Sequence, residues 1–460
     1  MSERLPSIDI RYARGRAQRD VIPRATLATL APRPGDYDPI KRLIWQGETR
    51  VAQLLPIRYQ RMLLNPLSFY RGCALLMADD LSRGESTSLE LQICGDAHLS
   101  NFGVFSSPER NLVFDVNDFD ETDKGPFEWD VKRLVTSVVV ASHFLGHSAA
   151  QQEVIAVDVA KEYRRAMLRF AQESRLNVWY ATLDVDAVMK DLRGFLADHA
   201  TQTINDVIGH AKSRDAAKSY ERMVVYKDGR PRIRFQPPLT TPLGDFEGDA
   251  LGMRDVLHQI LEGYVETLSS DRRALLSQFV PVDAGCKVVG VGSVGTRCYV
   301  MLFVGRDAED PFFLQIKEAQ ASALSLSRGV LSTVEPGSRV VSGQRLMQAT
   351  PDAFLGWHSL NVEHVKRSFY VRQLYDNKAS VVIEHLDESR LVAYGRVCAW
   401  ALARAHARSG TSAQIAGYLG KNNHFETAMA AFALLYRDRN EADYQAMRSA
   451  VKQGRITVAT

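Results

Sequence analysis

Apolar residues recur at helical spacing over much of the chain. Between residues 38 and 81 the apolar positions fit helices interrupted near Pro56. The same spacing continues in residues 150–220, 249–279 and 388–451. Such periodicity is typical of helices that bury one face. The pattern therefore predicts a mainly helical protein in which other structure is confined to shorter segments.

A different pattern begins at Cys286, where apolar and polar residues alternate. The alternation runs through the segments CYVMLFV, FFLQIK and SFYVRQLYD, the last of which ends near Asp376. Alternation with a period of two, in residues rich in Val, Phe and Tyr, predicts β-strands. A helix is expected near residues 344–348, between the last two strands. The Asp-Gly pair and the prolines of residues 227–245 predict a loop or a hairpin.

An acidic stretch between Leu91 and Asp130 carries the residues that point to chemistry. One apolar run ends just before Asp96, and Asn101 follows five residues later. A second apolar run is followed by three carboxylates, Asp115, Asp118 and Asp120. Asp and Asn are also common in turns after strands, so the spacing by itself is weak. Two acidic strand ends in succession match a phosphoryl-transfer site, in which one carboxylate orients a nucleophile and others hold Mg²⁺.

Three glycines, Gly290, Gly292 and Gly295, form a Gly-x-Gly-x-x-Gly pattern. A dinucleotide-binding fingerprint must open a helix, whereas this pattern leads into a strand. Glycines at the tip of a hairpin can lay backbone N–H groups over phosphates, as in kinases. The next strand ends in Lys317, where kinases carry a phosphate-binding lysine. Neither Glu318 nor Glu335 is a convincing glutamate partner for that lysine.

Composition narrows the class of protein. The chain has 460 residues, of which 45% are hydrophobic and 24% charged, and its formal net charge is +3. These values are ordinary for a globular protein of more than one lobe or domain, and they do not favour a nucleic-acid or membrane-surface partner. Five scattered cysteines without zinc spacing predict small buried side chains in a reducing compartment. Without an apolar signal segment or a membrane-spanning run, a cytoplasmic protein is expected.

Arginines are frequent in the first part of the chain. Residues 1–40 are rich in Arg, Pro and Asp, and an irregular arm with at most one short helix is expected there. Further on, Arg58, Arg61 and Arg71 interleave with aromatic residues. Such a set is able to hold an anionic substrate or phosphate. It is equally able to cover a helix face with aliphatic stems and rings, which is the more common use.

Several long motifs identify a resemblance. They are CGDAHLSNFG, LVFDVNDFDETDKGPFEWDVKRL, GVGSVGTRCYV, LQIKEA, RQLYDNK and ALARAHARSG. Together they resemble a bacterial family known as domain of unknown function 2252, over most of the chain from Ile40 onward. That family is regarded as a distant relative of protein kinases and aminoglycoside phosphotransferases. The resemblance implies that Asp96 is the catalytic carboxylate, that Asn101 and Asp118 bind the metal, and that Asp130 braces the catalytic loop.

The motifs stand in an unusual order, because the catalytic loop precedes the glycine-rich loop by nearly two hundred residues. The resemblance therefore implies an α+β, two-lobed, circularly permuted kinase-like fold. After the arm of residues 1–40, residues 41–279 are expected to form the first part of a large, mainly helical lobe. Residues 280–385 are expected to form the small β-rich, nucleotide-binding lobe, and residues 386–460 to complete the large lobe. In this arrangement Arg372, Asp376 and Lys378 lie near the pocket, on the connector between the lobes.

These observations favour an ATP·Mg²⁺-dependent phosphotransferase that acts on an unknown small-molecule or protein acceptor. Gly290, Gly292, Gly295 and Lys317 are expected to bind ATP, and Asn101 with Asp118 to bind Mg²⁺. Asp115 or Asp120 is also able to serve as metal ligand in place of Asp118. The same residues also fit nucleotidyl transfer, an inactive nucleotide-binding pseudokinase, and a metal-dependent hydrolase that uses the acids of residues 115–121 with His98.

Overall fold

The computed structural model describes residues 6–183, 223–245, 250–330, 332–362, 364–374 and 381–459. Within these ranges the protein is a mixed α+β structure, as predicted. The helices up to the middle of the chain are α1 Ile8–Val21, α2 Pro39–Gly47, α3 Leu55–Met62, α4 Pro66–Gly72, α5 Ala74–Ser82, α6 Phe127–Phe144, α7 Ala149–Phe170 and α8 Arg175–Tyr180. The later helices are α9 Ala250–Val265, α10 Ser270–Leu276, α11 Ala323–Arg328, α12 Pro336–Met347, α13 Glu388–Arg408, α14 Ser412–Leu419 and α15 His424–Lys452.

The strands form one six-stranded sheet and three two-stranded sheets in the described residues. The strands of the small sheets are β1 Glu90–Ile93, β2 Phe102–Ser106, β3 Leu112–Val116, β4 Asp123–Pro126, β5 Val224–Lys227 and β6 Arg230–Ile233. Those of the large sheet are β7 Thr240–Pro242, β8 Val280–Lys287, β9 Cys298–Val304, β10 Pro311–Ala319, β11 Gly356–Val362 and β12 Val365–Gln373. The large sheet is antiparallel and has the order β11-β12-β10-β9-β8-β7.

The register of the large sheet places three polar side chains in one row. Lys317 on β10 is paired with Cys298 on β9 and with Tyr370 on β12. Residues that are directly opposite in neighbouring strands point to the same face of a sheet. The opposite face packs Tyr299, Leu314 and other apolar side chains against α9. The sheet therefore has one apolar face and one face that carries the amine of Lys317.

Helix α6 forms the centre of the helical part. Its residues from Phe127 to Ser142 are all buried, and it packs against α7, α13 and α15. The run of valines explains this burial, because a helix that is apolar on every side is stable only inside a core. Four charged residues in its first turns, Glu128, Asp130, Lys132 and Arg133, are buried as well. Helix α6 thus carries polar groups into the interior beside the acidic loops.

The N-terminal segment is a regular helix, which corrects the expectation of an irregular arm. Helix α1 has 14 residues and an N-cap at Ser7. It packs so closely on α14 that a Cβ at Gly15 would lie 1.8 Å from the carbonyl oxygen of Gln414. Arg19 donates to the carbonyl oxygens of Gly417 and Tyr418. Arginines that looked solvated in the sequence therefore bind the carbonyl end of another helix, where cations are favoured.

Several smaller predictions can be compared with the fold. The segment with the Asp-Gly pair is a hairpin, β5–β6, in which Asp228 and Gly229 have positive φ angles of 52° and 71°. All five cysteines are buried, and none of them forms a disulfide bond. In the described part of the chain, no helix is both long and apolar enough to cross a membrane. The helix predicted beyond residue 183 and the pocket residues Asp376 and Lys378 lie outside the described residues.

The buried ammonium group of Lys132 is expected to lower the stability of the folded protein. Its ammonium lies 4.3 Å from the centre of the Phe432 ring, and burial lowers its pKa to about 8 although Glu128 partly opposes the effect. The unfolded chain, with a lysine pKa of about 10.4, binds more protons between these two values, so stability rises with pH in that window. We expect Lys132→Met to raise the free energy of unfolding at pH 7 by about 1–2 kcal/mol.

Urea unfolding at pH 7 and pH 10 measures this effect, and the gain should shrink at pH 10, where native Lys132 is already neutral. The exposed Lys41 on α2 supplies the control, since Lys41→Met should change the free energy of unfolding by less than about 0.5 kcal/mol. A Lys132→Met protein that is less stable at pH 7 would show that the attraction to Glu128 outweighs desolvation.

Candidate active site

The loop after β1 positions Asp96. Gly95 has a φ angle of 79°, and a Cβ there would lie 2.2 Å from the carbonyl oxygen of Glu121. Only glycine fits such a turn without strain. The carboxylate of Asp130 accepts hydrogen bonds from the backbone amides of Cys94 and Gly95, at 2.6 and 2.9 Å. The first turn of α6 therefore holds the loop in place.

A buried polar chain supports Asp130 from behind. Nε2 of His406, near the end of α13, lies 3.1 Å from a carboxylate oxygen of Asp130. Nδ1 of the same ring lies 2.8 Å from the hydroxyl of Tyr163. All three side chains are buried. A fully hydrogen-bonded network of this kind holds its members in one arrangement.

Asp96 is held at the floor of a cleft. Its Oδ1 accepts a hydrogen bond of 2.8 Å from Nε of Arg133, and its Oδ2 lies 3.6 Å from Nε2 of His98. Burial raises the pKa of Asp96 to about 6, because desolvation outweighs the attraction of the Arg133 guanidinium. The Asp96 side chain remains 15% exposed. A partly exposed carboxylate with a raised pKa is able to exchange a proton with a ligand.

Asn101 and Asp118 lie beside Asp96. The side-chain amide of Asn101 donates to the carbonyl oxygen of Asp96 at 2.8 Å, which leaves its Oδ1 available to a ligand. The backbone joins the two acidic loops, since the amide of Asn117 donates to the carbonyl oxygen of Asn101. Asp118 accepts the amide of Asp120 at 3.1 Å and has no ion-pair partner among the described residues. An amide oxygen and a carboxylate fit the hard oxygen ligands that Mg²⁺ prefers.

The other two candidate carboxylates are already bound to cations. Asp115 is buried, and its carboxylate forms an ion pair with Arg404 of α13. Asp120 accepts from the ammonium of Lys317 at 2.6 Å, from the hydroxyl of Ser293 at 2.8 Å and from the hydroxyl of Tyr370 at 2.6 Å. Of the three acids that the spacing left open, Asp118 is therefore the best placed to accept a metal ion.

Lys317 brings the large sheet into contact with the acidic loops. Its ion pair with Asp120 joins residues that are 197 positions apart. Neither glutamate near it in sequence is its partner, because Glu318 pairs with Arg297 and Arg367, whereas Glu335 pairs with Lys366. The side chain of Lys317 is only 3% exposed, and the nearby Asp120 raises its pKa against the effect of burial. The lysine is therefore charged and faces the acids.

The glycine-rich segment lies over the same place. Its residues Val291–Ser293 form a short 3₁₀ turn between β8 and β9. Gly295 has a φ angle of 92°, and its carbonyl oxygen accepts a hydrogen bond of 2.7 Å from the amide of Val51. Arg50 donates to the carbonyl oxygen of Val294, and Arg61 donates to that of Val289, just before the first glycine. The helices after residue 39 thus hold the glycine-rich segment in position.

A cavity of about 250 Å³ lies between these elements. Five predicted site residues are part of its lining: Asp96, Asn101, Asp118, Gly290 and Gly292. Gly295 and Lys317 lie directly behind this wall, next to the lining residues Arg50 and Asp120. The structure therefore brings all seven predicted site residues to one cleft, although the chain separates them by more than two hundred positions.

Comparison with models of protein families identifies the family of this chain. The sequence model of a family described as an uncharacterized protein conserved in bacteria, DUF2252, matches residues 50–450. This range covers most of the chain. The chain belongs to the DUF2252 family. No curated protein and no solved structure matches it.

Sequence reasoning missed several residues of the DUF2252 site. Arg133, Ser293 and Tyr370 bind the acids Asp96 and Asp120, but none of them was singled out, although Arg133 and Ser293 lie inside long motifs. Arg339 of α12 also binds the backbone of Asp120, at 2.8 Å. The only signal in the sequence was position: Ser293 lies inside the glycine pattern, and Arg133 lies one helical turn after Asp130. The remaining contacts depend on how distant segments pack.

The described acids of this DUF2252 chain do not form a metal cluster by themselves. In the part of the chain that the structure describes, no three His, Cys, Asp or Glu side chains are placed to hold one metal ion. The ion pairs of Asp115 and Asp120 explain why residues 115–121 do not converge. A hydrolase that relies on that acidic cluster with His98 is therefore not supported. A metal at Asn101 and Asp118 needs further oxygen ligands from a bound molecule.

Proposed function

We propose that this DUF2252 protein is an ATP·Mg²⁺-dependent phosphotransferase of kinase-like type. The observation that carries the proposal is the contact of Lys317 with the acidic loops at the edge of a glycine-lined cavity. Kinases combine these same parts: a glycine-rich segment over the phosphates, a lysine on a strand, and an Asp–Asn–Asp set for metal and acceptor. A structural protein has no need for such a combination.

The order of the large sheet supports a kinase-like small lobe. Lys317 lies on the third strand counted from β8, and helix α12 follows that strand. Kinases likewise carry the phosphate lysine on a third strand and a helix after it, whose glutamate pairs with the lysine. Here α12 supplies Arg339, which binds the backbone of Asp120, and Asp120 itself pairs with the lysine. The acid that pairs with the lysine thus comes from the metal loop.

The position of α13 supports a circular permutation. This helix ends at Arg408, and its last turn contacts Asp130 through His406. A kinase-like chain in the usual order would continue from such a helix into the catalytic loop. In this chain the catalytic loop is preceded by α1 to α5, and α13 is followed by α14 and α15. These two groups of helices pack against one another. Chain ends that lie close together make relocation of the termini compatible with an unchanged fold.

The proposed reaction transfers the γ-phosphoryl group of ATP to a hydroxyl group. The acceptor oxygen forms a bond to the γ-phosphorus, the bond from that phosphorus to the β–γ bridging oxygen breaks, and ADP leaves. Asp96 accepts the proton of the acceptor hydroxyl and later releases it to solvent. Arg133 and Asp130 keep Asp96 in position during this step. Positioning and charge neutralisation supply most of the rate in such sites.

The charged groups of the site fit the bound nucleotide. Bound Mg²⁺ would neutralise charge on the phosphates, with Asn101 and Asp118 as its protein ligands. Lys317 would bind phosphate oxygens, which requires that it exchange its contact with Asp120. Backbone amides of the glycine-rich segment would cover the phosphates. The cavity of about 250 Å³ is smaller than most nucleotide pockets, so we expect the sheet to move away from the acids on binding.

Nucleotide binding and turnover test this proposal. We expect a non-hydrolysable ATP analogue to bind only with Mg²⁺, and Lys317→Met to weaken that binding about tenfold or more, because it removes a charged donor. Lys366 on the neighbouring strand is exposed, and Lys366→Met should leave the affinity unchanged. Calorimetric titration measures both variants.

The products of the wild-type protein distinguish phosphoryl transfer from nucleotidyl transfer. ADP formation supports phosphoryl transfer, whereas pyrophosphate formation supports transfer of a nucleotidyl group by the same site. Mg²⁺-dependent binding without any product indicates an inactive pseudokinase. If the wild-type protein does not bind the analogue in the presence of Mg²⁺, the proposed function is wrong.

A further inference from the structure

Three arginines before the acidic loops, Arg50, Arg58 and Arg71, lie near the cleft without a carboxylate partner among the described residues. Arg50 and Arg58 are buried, and Arg71 is partly buried. Arg58 of α3 is fully buried and donates to the side chain of Gln46 and the carbonyl oxygen of Gly72. Arg50 is 9% exposed and donates to the carbonyl oxygen of Val294. Arg71 of α4 forms no hydrogen bond or ion pair with any residue that the structure describes.

The other buried arginines of the described chain have a carboxylate partner or several carbonyl partners, unlike these three. Buried Arg133, Arg164 and Arg404 each bind a carboxylate. Two other buried arginines, Arg339 and Arg408, bind several carbonyl oxygens. By contrast, the Nε atoms of Arg50, Arg58 and Arg71 are buried without a partner. A buried cation without a counter-charge is costly, so an anion that binds here would recover that cost.

Two of these arginines, Arg50 and Arg71, line the cavity. Arg50 lies beneath the glycine-rich segment, since a Cβ at Gly295 would be 3.0 Å from the Cβ of Arg50. Burial lowers the pKa of Arg50 to about 9, which the acids at Asp120 and Glu121 only partly oppose. Arg50 therefore belongs to the end where phosphates of a nucleotide are proposed to bind.

Arg71 lies between the glycine-rich segment and the proposed catalytic carboxylate, since a Cβ at Gly292 would be 3.4 Å from the carbonyl oxygen of Arg71. It lines the cavity together with Asp96 and His98. Burial lowers the pKa of Arg71, and the carboxylates of Glu384 and Asp96 oppose this only in part. Burial also lowers the pKa of His98, and the positive charges of Arg133 and Arg71 add to this effect. Nδ1 of His98 is buried without a partner. The surroundings of Asp96 thus contain unused hydrogen-bond donors in addition to the base.

We propose that Arg71 binds an anionic group of the acceptor, so that the acceptor is a hydroxyl compound with a phosphate or carboxylate close to that hydroxyl. This inference rests on the proposed function, in which Asp96 receives the hydroxyl proton. An arginine fork binds both kinds of anion through two parallel hydrogen bonds. The anion is held near the hydroxyl because Arg71 and Asp96 line the same small cavity.

The first experiment measures the binding of inorganic phosphate and of acetate, as probes of the two kinds of anion. Calorimetric titrations use the full chain alone and the chain loaded with a non-hydrolysable ATP analogue and Mg²⁺. We expect Arg71→Met to weaken binding of the preferred anion at least tenfold and to leave the affinity for the ATP analogue within about twofold. Arg71→Lys, which keeps the charge but not the fork, should show an intermediate loss.

Arg437→Met is the matched control, because Arg437 is a partly buried helical arginine outside the cavity lining. It should bind both probes like the wild-type protein. Equal anion binding by wild type and Arg71→Met would overturn the inference. Equal weakening of the ATP analogue would also overturn it, because Arg71 would then serve the nucleotide. If Arg71→Met does not fold, Arg71→Lys decides by the same criteria.

The second experiment compares acceptors as neutral and anionic pairs, such as glycerol and glycerol 3-phosphate. The wild-type protein should transfer phosphoryl groups faster to the anionic member, and Arg71→Met should remove that preference. If anion binding depends on Arg71 but the protein does not bind nucleotide, the anion site is supported and the proposed phosphotransferase function is wrong. If the protein turns over nucleotide without preferring anionic acceptors, the phosphotransferase function is supported and the proposed role of Arg71 is wrong.

Discussion

Replacement of Asp118 by Asn should lower Mg²⁺-dependent transfer by about a thousandfold or more. Among the three acids of its loop, Asp118 is the one that no described cation already binds, whereas Asp115 and Asp120 pair with Arg404 and Lys317. The substitution keeps the shape of the side chain and removes the charge that a divalent ion requires. Loss of the metal removes charge neutralisation at the phosphates, which is worth several kcal/mol in the transition state.

The measurement is the initial rate as a function of Mg²⁺ concentration. Asp123→Asn is a suitable control, because Asp123 lies five residues further on, outside the cavity lining, and accepts only the neighbouring amide of Lys124. It makes the same change of charge, and its rate should stay within about twofold of wild type. An Asp118→Asn protein that keeps the Mg²⁺ dependence of the wild type would show that the metal binds elsewhere.

Asp120→Asn separates metal binding from structural support. Because it breaks the buried ion pair with Lys317, it should lower stability as well as rate. Asp118→Asn should lower the rate with little change in the midpoint of thermal unfolding. If both variants destabilise the protein equally, Asp118 has a structural role that the observed contacts do not include.

Replacement of Asp96 by Asn should have the second large effect, with a rate loss of about 10²–10⁴-fold. The amide retains the size of the side chain and its place next to Arg133, but it cannot accept the proton of the acceptor hydroxyl. Nucleotide affinity should change by less than about threefold, since Asp96 is proposed to contact the acceptor. Single-turnover measurements report the chemical step, and calorimetry reports the affinity.

The rate and the nucleotide affinity of Asp96→Asn together decide the role of Asp96. A lower rate with unchanged nucleotide affinity assigns Asp96 to the transfer step. An equal loss of affinity and rate would instead indicate that Asp96 supports the nucleotide site through its loop. Turnover equal to that of wild type would exclude Asp96 as the group that orients the acceptor, and the enzymatic interpretation of the cleft would lose its main support.

Local pattern was sufficient to find the elements that bear the site. Alternation predicted the strands around residues 286–317, and the helical spacing of residues 388–410 predicted α13. The polar residues Asp96 and Asp118 were visible because each follows an apolar run within a few residues. The N-terminal helix was missed for a local reason as well. Its arginines suggested a solvated arm, whereas they bind carbonyl oxygens of α14.

The sequence by itself determined which residue types are available at each strand end and turn, because period and spacing are properties of neighbouring positions. Only the tertiary structure decided that Lys317 pairs with Asp120, that Arg404 removes Asp115 from the metal candidates, and that Arg71 remains without a partner among the described residues. Those outcomes depend on contacts between segments that are far apart in the chain. Local spacing contains no information about such distances, so packing alone selects which charge meets which.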